Sequence, residues 1–354
     1  MPGDVRVVEL RSPEDLGPWA AQIDAHAIAA SAPVFSSSAW LSSWWRHLVP
    51  GARIRLLVDE QDDGIAGVLP LADLYRRAHP LVPLRLPYLG IAGSGLGAAD
   101  HLRPLTADPS SAARLVAAAG ALGRPRSVLL EAMANETGRL AGSSLKGRVV
   151  AETPCPSIDL AGVEDAEELW RQKRRSNVRR TFRRCKDLGF DRRWLRLDPS
   201  NLHLLDELQQ LHELLWRSRG RAGLIDDRRR AFLAEVATLL KGPSGAWLQV
   251  IGDGSHAVAA QLAFEFGPSM CSYATGRDPA LRRLGLGVLL EAGGIERALD
   301  RGLDRYDFLR GTEPHKLELG GVPTHDISWC APRGVRGHVL VAREVIVARR
   351  DSWI

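Results

Sequence analysis

A basic loop with two glycines, Arg282-Arg283-Leu284-Gly285-Leu286-Gly287, sits between a strand-like run and a helix-like one, and it limits the folds open to this chain. Upstream, Val258–Phe266 and Ser269–Thr275 alternate and carry β-branched and aromatic residues, which predicts two strands joined at the Gly267-Pro268 turn. Downstream, Leu286, Leu289, Leu290, Ile295, Ala298 and Leu299 recur at helical spacing, predicting a helix over 288–301 that Gly302 closes. Tyr306–Leu309 then reads as a buried strand running into a polar loop of Arg310, Gly311, Thr312, Glu313, Pro314, His315 and Lys316. The start of a helix presents unpaired N–H groups and a positive dipole end, so it attracts phosphate. Glycines at 285 and 287 let the backbone come close to such a ligand, and Arg282 and Arg283 add charge. The spacing is neither a dinucleotide fingerprint, which needs a third glycine three residues on, nor a Walker loop, which needs Gly-Lys-Ser/Thr.

Arg-x-x-Gly-x-Gly at 282–287 resembles the pyrophosphate loop of the GNAT N-acetyltransferases. Tyr-Ala-Thr-Gly-Arg-Asp at 273–278, the glycine loop, the helix and Asp-Phe-Leu-Arg-Gly-Thr-Glu-Pro-His-Lys at 307–316 then follow in family order. Together they resemble the C-terminal part of the cellulose-biosynthesis-type (CelD-like, or BioF2-like) acetyltransferases, a GNAT branch related to the FemAB aminoacyltransferases. The family usually has tyrosine where this chain has His315, a departure that bears on substrate choice. The resemblance implies an α/β fold of two tandem GNAT-like domains with mixed sheets flanked by helices. It also implies acetyl-CoA or another acyl-CoA as co-substrate, bound at Arg282, Arg283, Leu284, Gly285, Leu286 and Gly287, with no metal.

The chain has 354 residues, enough for two domains that each bury a core. Its four cysteines (155, 185, 271 and 330) lie far apart without a C-x-x-C, so neither a zinc site nor a disulfide framework is expected. The amino terminus is charged from its start, and no run approaches ~20 apolar residues. A cytoplasmic protein without a membrane span is the expectation.

Mixed strands and helices occur before and after residue 160, predicting domains of 1–160 and 161–354. In the first, Trp40, Leu41, Trp44, Trp45 and Leu48 fall at helical spacing behind capping serines, either as a core stripe or as a substrate surface in the case of Trp44 and Trp45. Asp62-Asp63-Gly64 predicts a hairpin between 53–60 and 65–75. The Pro- and Gly-rich span 79–97 shows little periodicity, and Asp100 beside His101 is either an acid–base or substrate-orienting pair or a turn-capping Asp beside an exposed His. The second half opens on Arg171–Lys186, a dense basic run with Val178, Phe182 and Cys185 on one stripe. Such a run is either a solvated face or a polyanion surface, for CoA phosphates or tRNA. Near the end of the chain, 324–330 and 338–346 read as strands.

Acyl transfer to an amine needs a base, donors for the oxyanion and a proton for the leaving thiolate. Glu313 and His315 are the candidate bases, and Tyr273 a candidate acid. Asp307 has to find a cationic partner such as Arg310 or Lys316. Resemblance to the FemAB relatives implies that a lysine in the Lys316 region stabilises developing negative charge; Arg310 is a candidate substrate-binding residue. No Ser-His-Asp or Cys-His spacing is present, which favours direct transfer. Three readings follow: an acyl-CoA-dependent N-acyltransferase acting on a small-molecule, sugar or peptide amine; a FemAB-like transferase using aminoacyl-tRNA through the Arg171–Lys186 helix; or a non-catalytic GNAT-like scaffold.

Overall fold

The computed structural model describes residues 5–79 and 81–351; the start of the charged amino terminus, Pro80 of the Pro- and Gly-rich span and residues 352–354 lie outside them. The chain divides into two compact units, Met1–Thr153 with His325–Ile354, and Pro154–Thr324. The first contains β1 (Val5–Leu10), α1 (Ala20–Ala29), α2 (Ser38–Ser43), β2 (Ile54–Gln61), β3 (Gly64–His79), β4 (Val82–Ile91), α3 (Pro109–Leu122), β5 (Ser127–Ala134), α4 (Asn135–Ser144) and the start of β6 (Arg148–Asp159). The second holds the rest of β6, then α5 (Gln172–Asp187), β7 (Asp191–Arg196), α6 (Leu204–Arg217), α7 (Asp227–Leu239), β8 (Gly245–Gly252), β9 (Ala257–Phe266), β10 (Ser269–Arg277), α8 (Leu286–Asp300), β11 (Arg305–Asp307) and α9 (Pro314–Glu318). β12 (Val322–Ala331) starts in the second unit and ends in the first, where α10 (Gly334–Asp351) follows.

The two units repeat one plan. In the first, β1 to β4 form an antiparallel meander, β4 pairs parallel with β5, and residues 326–331 of β12 close on β5 antiparallel. In the second, β7 to β10 form the meander, β10 pairs parallel with β11, and residues 157–159 of β6 close on β11 antiparallel. A parallel step needs a crossover long enough to return the chain, and α3 and α8 supply it at the same place in each plan. The residues that complete each sheet come from outside the run that builds its meander. The division therefore falls at 153/154 and again at 324/325, where the sequence suggests one boundary near 160.

Local chemistry explains most elements. Ser37 accepts from the Trp40 amide and starts α2, and Asp108 caps α3 through the amides of Ser110 and Ser111. The hairpin around 62–64 forms as the turn residues predict. The span 79–97, for all its little periodicity, contains β4. Its Pro83 and Pro87 are tolerated because β4 meets β5 only at Tyr88 and Leu89, so those prolines lie where one side of the strand is unpaired by β5. Residues 338–346 are not a strand but part of α10. Their β-branched residues favour a strand, yet Leu340 and Val341 pack with Leu86, Tyr88, Leu129, Val150 and Cys330, and burial against that sheet face outweighs propensity.

In the second unit, α8 buries Leu286, Leu289, Leu290, Ile295 and Ala298, the face its spacing predicts. α5 turns Val178 and Cys185 inward with Phe182 packed beside them. α8 lies close on the sheet because Gly294 leaves room for Tyr306, whose hydroxyl stands 2.2 Å from where a side-chain carbon at 294 would begin. Among the described residues no helix is long and apolar enough to cross a membrane.

Candidate active site

The site is built around a fork in the second unit. β10 and β11 pair at Ser269↔Arg305, Met270↔Tyr306 and Cys271↔Asp307, and the paired register stops there. Beyond it β10 continues to Arg277, and β11 gives way to the loop that leads to α9. At the same level β10 carries a bulge against β9, with Tyr273 the extra residue between Ser272↔Ala263 and Ala274↔Leu262. A bulge bends its strand and re-aims local amides. The bent segment is held from one side by α6. Gly276 is so close that a side-chain carbon there would stand 2.5 Å from the His212 amide nitrogen. His212 accepts at Nε2 from the Leu224 amide (3.1 Å), so its Nδ1–H donates to the Thr275 carbonyl (2.8 Å). Burial pushes the His212 pKa down, keeping the neutral ring that this bracket needs.

Past the fork, where β10 ends, comes the glycine loop. Asp278 caps a 3-10 turn over Pro279–Leu284, and Gly285 (φ 74°) reverses the chain into α8. The left-handed φ is why glycine stands at 285. At 287 the reason is proximity, since a side-chain carbon would stand 2.3 Å from Nη1 of Arg277. Arg277 therefore lies over the first turn of α8, half-buried, and its guanidinium has no hydrogen-bond or ion-pair partner among the described residues. Burial and the nearby Arg219 push its pKa down, the mark of a cation short of counter-charge. Arg282 and Arg283, the arginines the motif points to, are exposed on the turn; Leu284 is half-buried and Leu286 buried. Thr181 of α5 stands 3.6 Å from the side-chain position of Gly285, so the basic helix flanks the loop.

The other arm of the fork is the 307–316 segment. Asp307 accepts from the Leu309 amide (2.9 Å) and from Arg305 (3.1 Å), which makes Arg305 a partner that the sequence reading, with Arg310 and Lys316, did not name. Arg310 is exposed. Leu309 (φ 55°) and Gly311 (φ 114°) turn the chain so that buried Lys316 donates from Nζ to the Arg310 carbonyl (2.8 Å) and pairs with Glu313 (3.0 Å). Burial works to raise the Glu313 pKa, but the Lys316 charge and added hydrogen bonds overcome it and hold it below the ordinary range. His315 is driven down to about 4, first by burial and then by the charges of Lys316, Arg174 and Arg277 against that of Glu313. It is neutral at pH 7 and, among the described residues, its ring has no hydrogen-bond partner. Arg174 reaches Glu318 from α5. Tyr273 packs edge-on against Phe264 at 5.5 Å.

Glu291 and Arg277 escaped the sequence reading. Glu291, fully buried on α8, accepts from Ser272 Oγ of β10 (3.1 Å) and from the Tyr306 hydroxyl of β11 (2.8 Å). It falls on the apolar face of α8 where nothing in the periodicity separates a carboxylate with partners from an exposed one. Arg277 was hidden likewise, as the end of a strand rather than part of the loop.

In the first unit, Trp40, Trp44 and Trp45 are buried, and the indoles of Trp40 and Trp44 donate to the carbonyls of Gly93 (3.3 Å) and Ser94 (3.0 Å). Asp100 and His101 are buried too. His101 takes a left-handed backbone (φ 58°) and is held twice by Asp326, at its amide (2.6 Å) and at Nδ1 (2.7 Å). Asp326 lies 225 positions along the chain, and no local signal links the two.

Residues 172–317, which span the fork, the glycine loop and the Lys316 segment, match the family model described as an acetyltransferase (GNAT) domain. Among solved structures, FemX shares 11% identity with this chain at a TM-score of 0.61, covering 92% of this chain and 97% of its own. L-PGS from Bacillus licheniformis shares 12% identity at a TM-score of 0.54, covering 92% of this chain and 96% of its own. These likenesses extend over both units, in keeping with the tandem GNAT-like α/β fold that the sequence suggests. Compared with curated protein sequences, the chain finds no match.

Proposed function

Given that residues 172–317 match the model of a GNAT acetyltransferase domain, we propose that this chain is an N-acyltransferase that passes an acyl group from acyl-CoA directly to an amine. The observation that carries the reading is the fork itself. Two strands part after Cys271↔Asp307, and β10 runs on to Arg277, which lies over a helix start with no partner among the described residues. In this reading the pyrophosphate of CoA sits at the amides of residues 285–287 and draws Arg277 into a charge-assisted contact. The thioester lies in the opening of the fork, with its carbonyl oxygen toward the bent Tyr273–Gly276 backbone, whose amides hold the oxyanion.

The amine attacks the carbonyl carbon, and the C–S bond breaks as the tetrahedral intermediate collapses. The amine's surplus proton goes to Glu313 or to neutral His315. The thiolate leaves under the charge of Lys316, with Tyr273 a candidate to protonate it. Low pKa values make both bases weak in the free protein. A bound pyrophosphate offsets Arg277, which removes the smallest of the effects that hold His315 low and leaves burial, the largest. Arg310, exposed on the same arm of the fork as Lys316, is proposed for the acceptor, whose identity the reading leaves at an amine.

A second reading has aminoacyl-tRNA as donor, favoured by the outer face of α5. Arg179 is spent on Glu167 and Arg180 on Asn177, but Lys173, Arg183 and Arg184 have no side-chain partner among the described residues. The deciding measurement is thermal stabilisation by acetyl-CoA, longer acyl-CoAs and aminoacyl-tRNA side by side. A ligand present at 100 times its Kd adds about 2.7 kcal/mol. Stabilisation by acyl-CoAs with turnover indifferent to RNase supports the first reading. Inert acyl-CoAs with RNase-sensitive product formation overturn it in favour of the second.

A further inference from the structure

The buried polar groups beneath the fork are connected in one direction. The Leu290 carbonyl can only accept, so it takes a bond from the Gln249 amide nitrogen (2.8 Å). That nitrogen also donates to Gln261 Oε1 (2.8 Å), which fixes the orientation of Gln261. The Gln261 amide nitrogen then donates to Ser272 Oγ (2.8 Å) and to the Tyr306 hydroxyl (3.3 Å). Both hydroxyls thus have their own protons left to give, and both give them to Glu291, one to each carboxylate oxygen. An acceptor on two sides is what a carboxylate provides and a carboxamide does not.

The two hydroxyls mark the place where the strands separate. Ser272 directly precedes the bulged Tyr273 on β10, and Tyr306 is one residue before the last paired position on β11. Glu291 therefore ties the last paired stretch of one strand to that of the other from underneath. Its α8 backbone begins at the glycine loop, so the same helix carries the loop at one end and this tie four residues after Gly287. Burial pushes the Glu291 carboxyl up; the bonds from Tyr306 and Ser272 and the charge of Lys316 act against this, and the charge of Glu313, on the same arm as Lys316, acts with it.

We infer that Glu291 is a positioning residue for acyl transfer: its carboxylate, bonded by Ser272 and Tyr306, sets the spread of the β10–β11 fork and so the aim of the amides at 273–276. The inference rests on the acyltransfer reading above for its effect on turnover, while its effect on the fork stands apart from that reading. Glu291→Gln keeps the shape but turns an NH₂ toward one of the two hydroxyls. Ser272→Ala removes one arm of the tie with little change of volume.

The expected result is a fall in kcat of about 10–100-fold, the scale on which a misplaced reacting group loses rate. Acyl-CoA affinity should stay within threefold, since the glycine loop and Arg277 make none of the bonds of the tie. Amide hydrogen exchange at 273–276 should speed up while that of β8 and β9 is unchanged. Glu291→Gln combined with Ser272→Ala should be no worse than the poorer single variant, because both cut the same link. Unchanged kcat and unchanged exchange at 273–276 in folded Ser272→Ala and Glu291→Gln proteins overturn the inference, as does a uniform loosening of the whole sheet. If Glu291→Gln does not fold, Ser272→Ala decides by the same readouts. A wild-type protein that turns over no acyl-CoA refutes the proposed function, and exchange at 273–276 still decides whether Glu291 sets the fork.

Discussion

Replacing Gly287 by valine separates donor binding from folding. The first carbon of the new side chain would stand 2.3 Å from Arg277 Nη1 and 3.2 Å from its Cζ, so the guanidinium has to leave its place over α8. What it loses there is a charge-assisted contact to the donor, worth about 1.5–3 kcal/mol. At about 1.4 kcal/mol per factor of ten, donor Kd should rise by roughly 10- to 150-fold. The fold should lose much less. The displaced atoms are the end of a flexible side chain with no partner to forfeit among the described residues, and valine is no poorer a helix former than the glycine it replaces. Calorimetric titration with acetyl-CoA and urea unfolding give the two quantities on the same sample. Arg277→Ala should weaken binding by a similar factor, and the double variant should add little. Donor affinity within twofold of wild type in well-folded Gly287→Val protein would refute the placement of the pyrophosphate at this helix start.

His315 gives a pH test. Its folded pKa of about 4 lies below the ordinary 6.5, so protonation favours the unfolded chain, and its contribution to stability is present above pH 6.5 and lost as pH falls toward 4. Urea unfolding of wild type and His315→Gln should diverge over that window by at most about 3 kcal/mol, and parallel pH profiles would contradict the assignment. Gly294→Ala places a carbon 2.2 Å from the Tyr306 hydroxyl and 2.7 Å from its ring, and should cost about 1–3 kcal/mol in urea unfolding, whereas wild-type stability would show that α8 can lift freely. Changing Arg180, Arg183 and Arg184 to Gln should leave acetyl-CoA turnover and its shallow salt dependence unchanged. A collapse of turnover, with affinity in the wild type falling about 10³-fold or more between 50 and 200 mM salt, would point to a polynucleotide donor.

Features carried by local chemistry were legible in the sequence. The glycine loop, the apolar face of α8, the hairpin at 62–64 and the inward stripe of α5 each follow from a few neighbouring residues. Features set by distant partners were not. β4 looks aperiodic because its prolines are allowed only by the short reach of β5. α10 looks like a strand because its β-branched residues carry a preference that a sheet face elsewhere in the chain overrides. Arg277 reads as the end of a strand, and only the closeness of Gly287 shows it over a helix start. Glu291 and Asp326 find their partners through tertiary structure, and a single residue in a periodic pattern carries no mark of that.

The way the two sheets are completed has a consequence for synthesis. Residues 5–153 can form β1 through β5 as soon as they emerge, but the far side of β5 stays without its partner until residues 326–331 have been made. A fragment cut near 160 and carrying the glycine loop would similarly lack residues 157–159, which pair with β11, the strand that forms one arm of the fork. The segment to express by itself is 154–324, not 161–354. During translation the first unit has to wait, one strand short, through the making of the second, with β5 open to any extended peptide that could stand in.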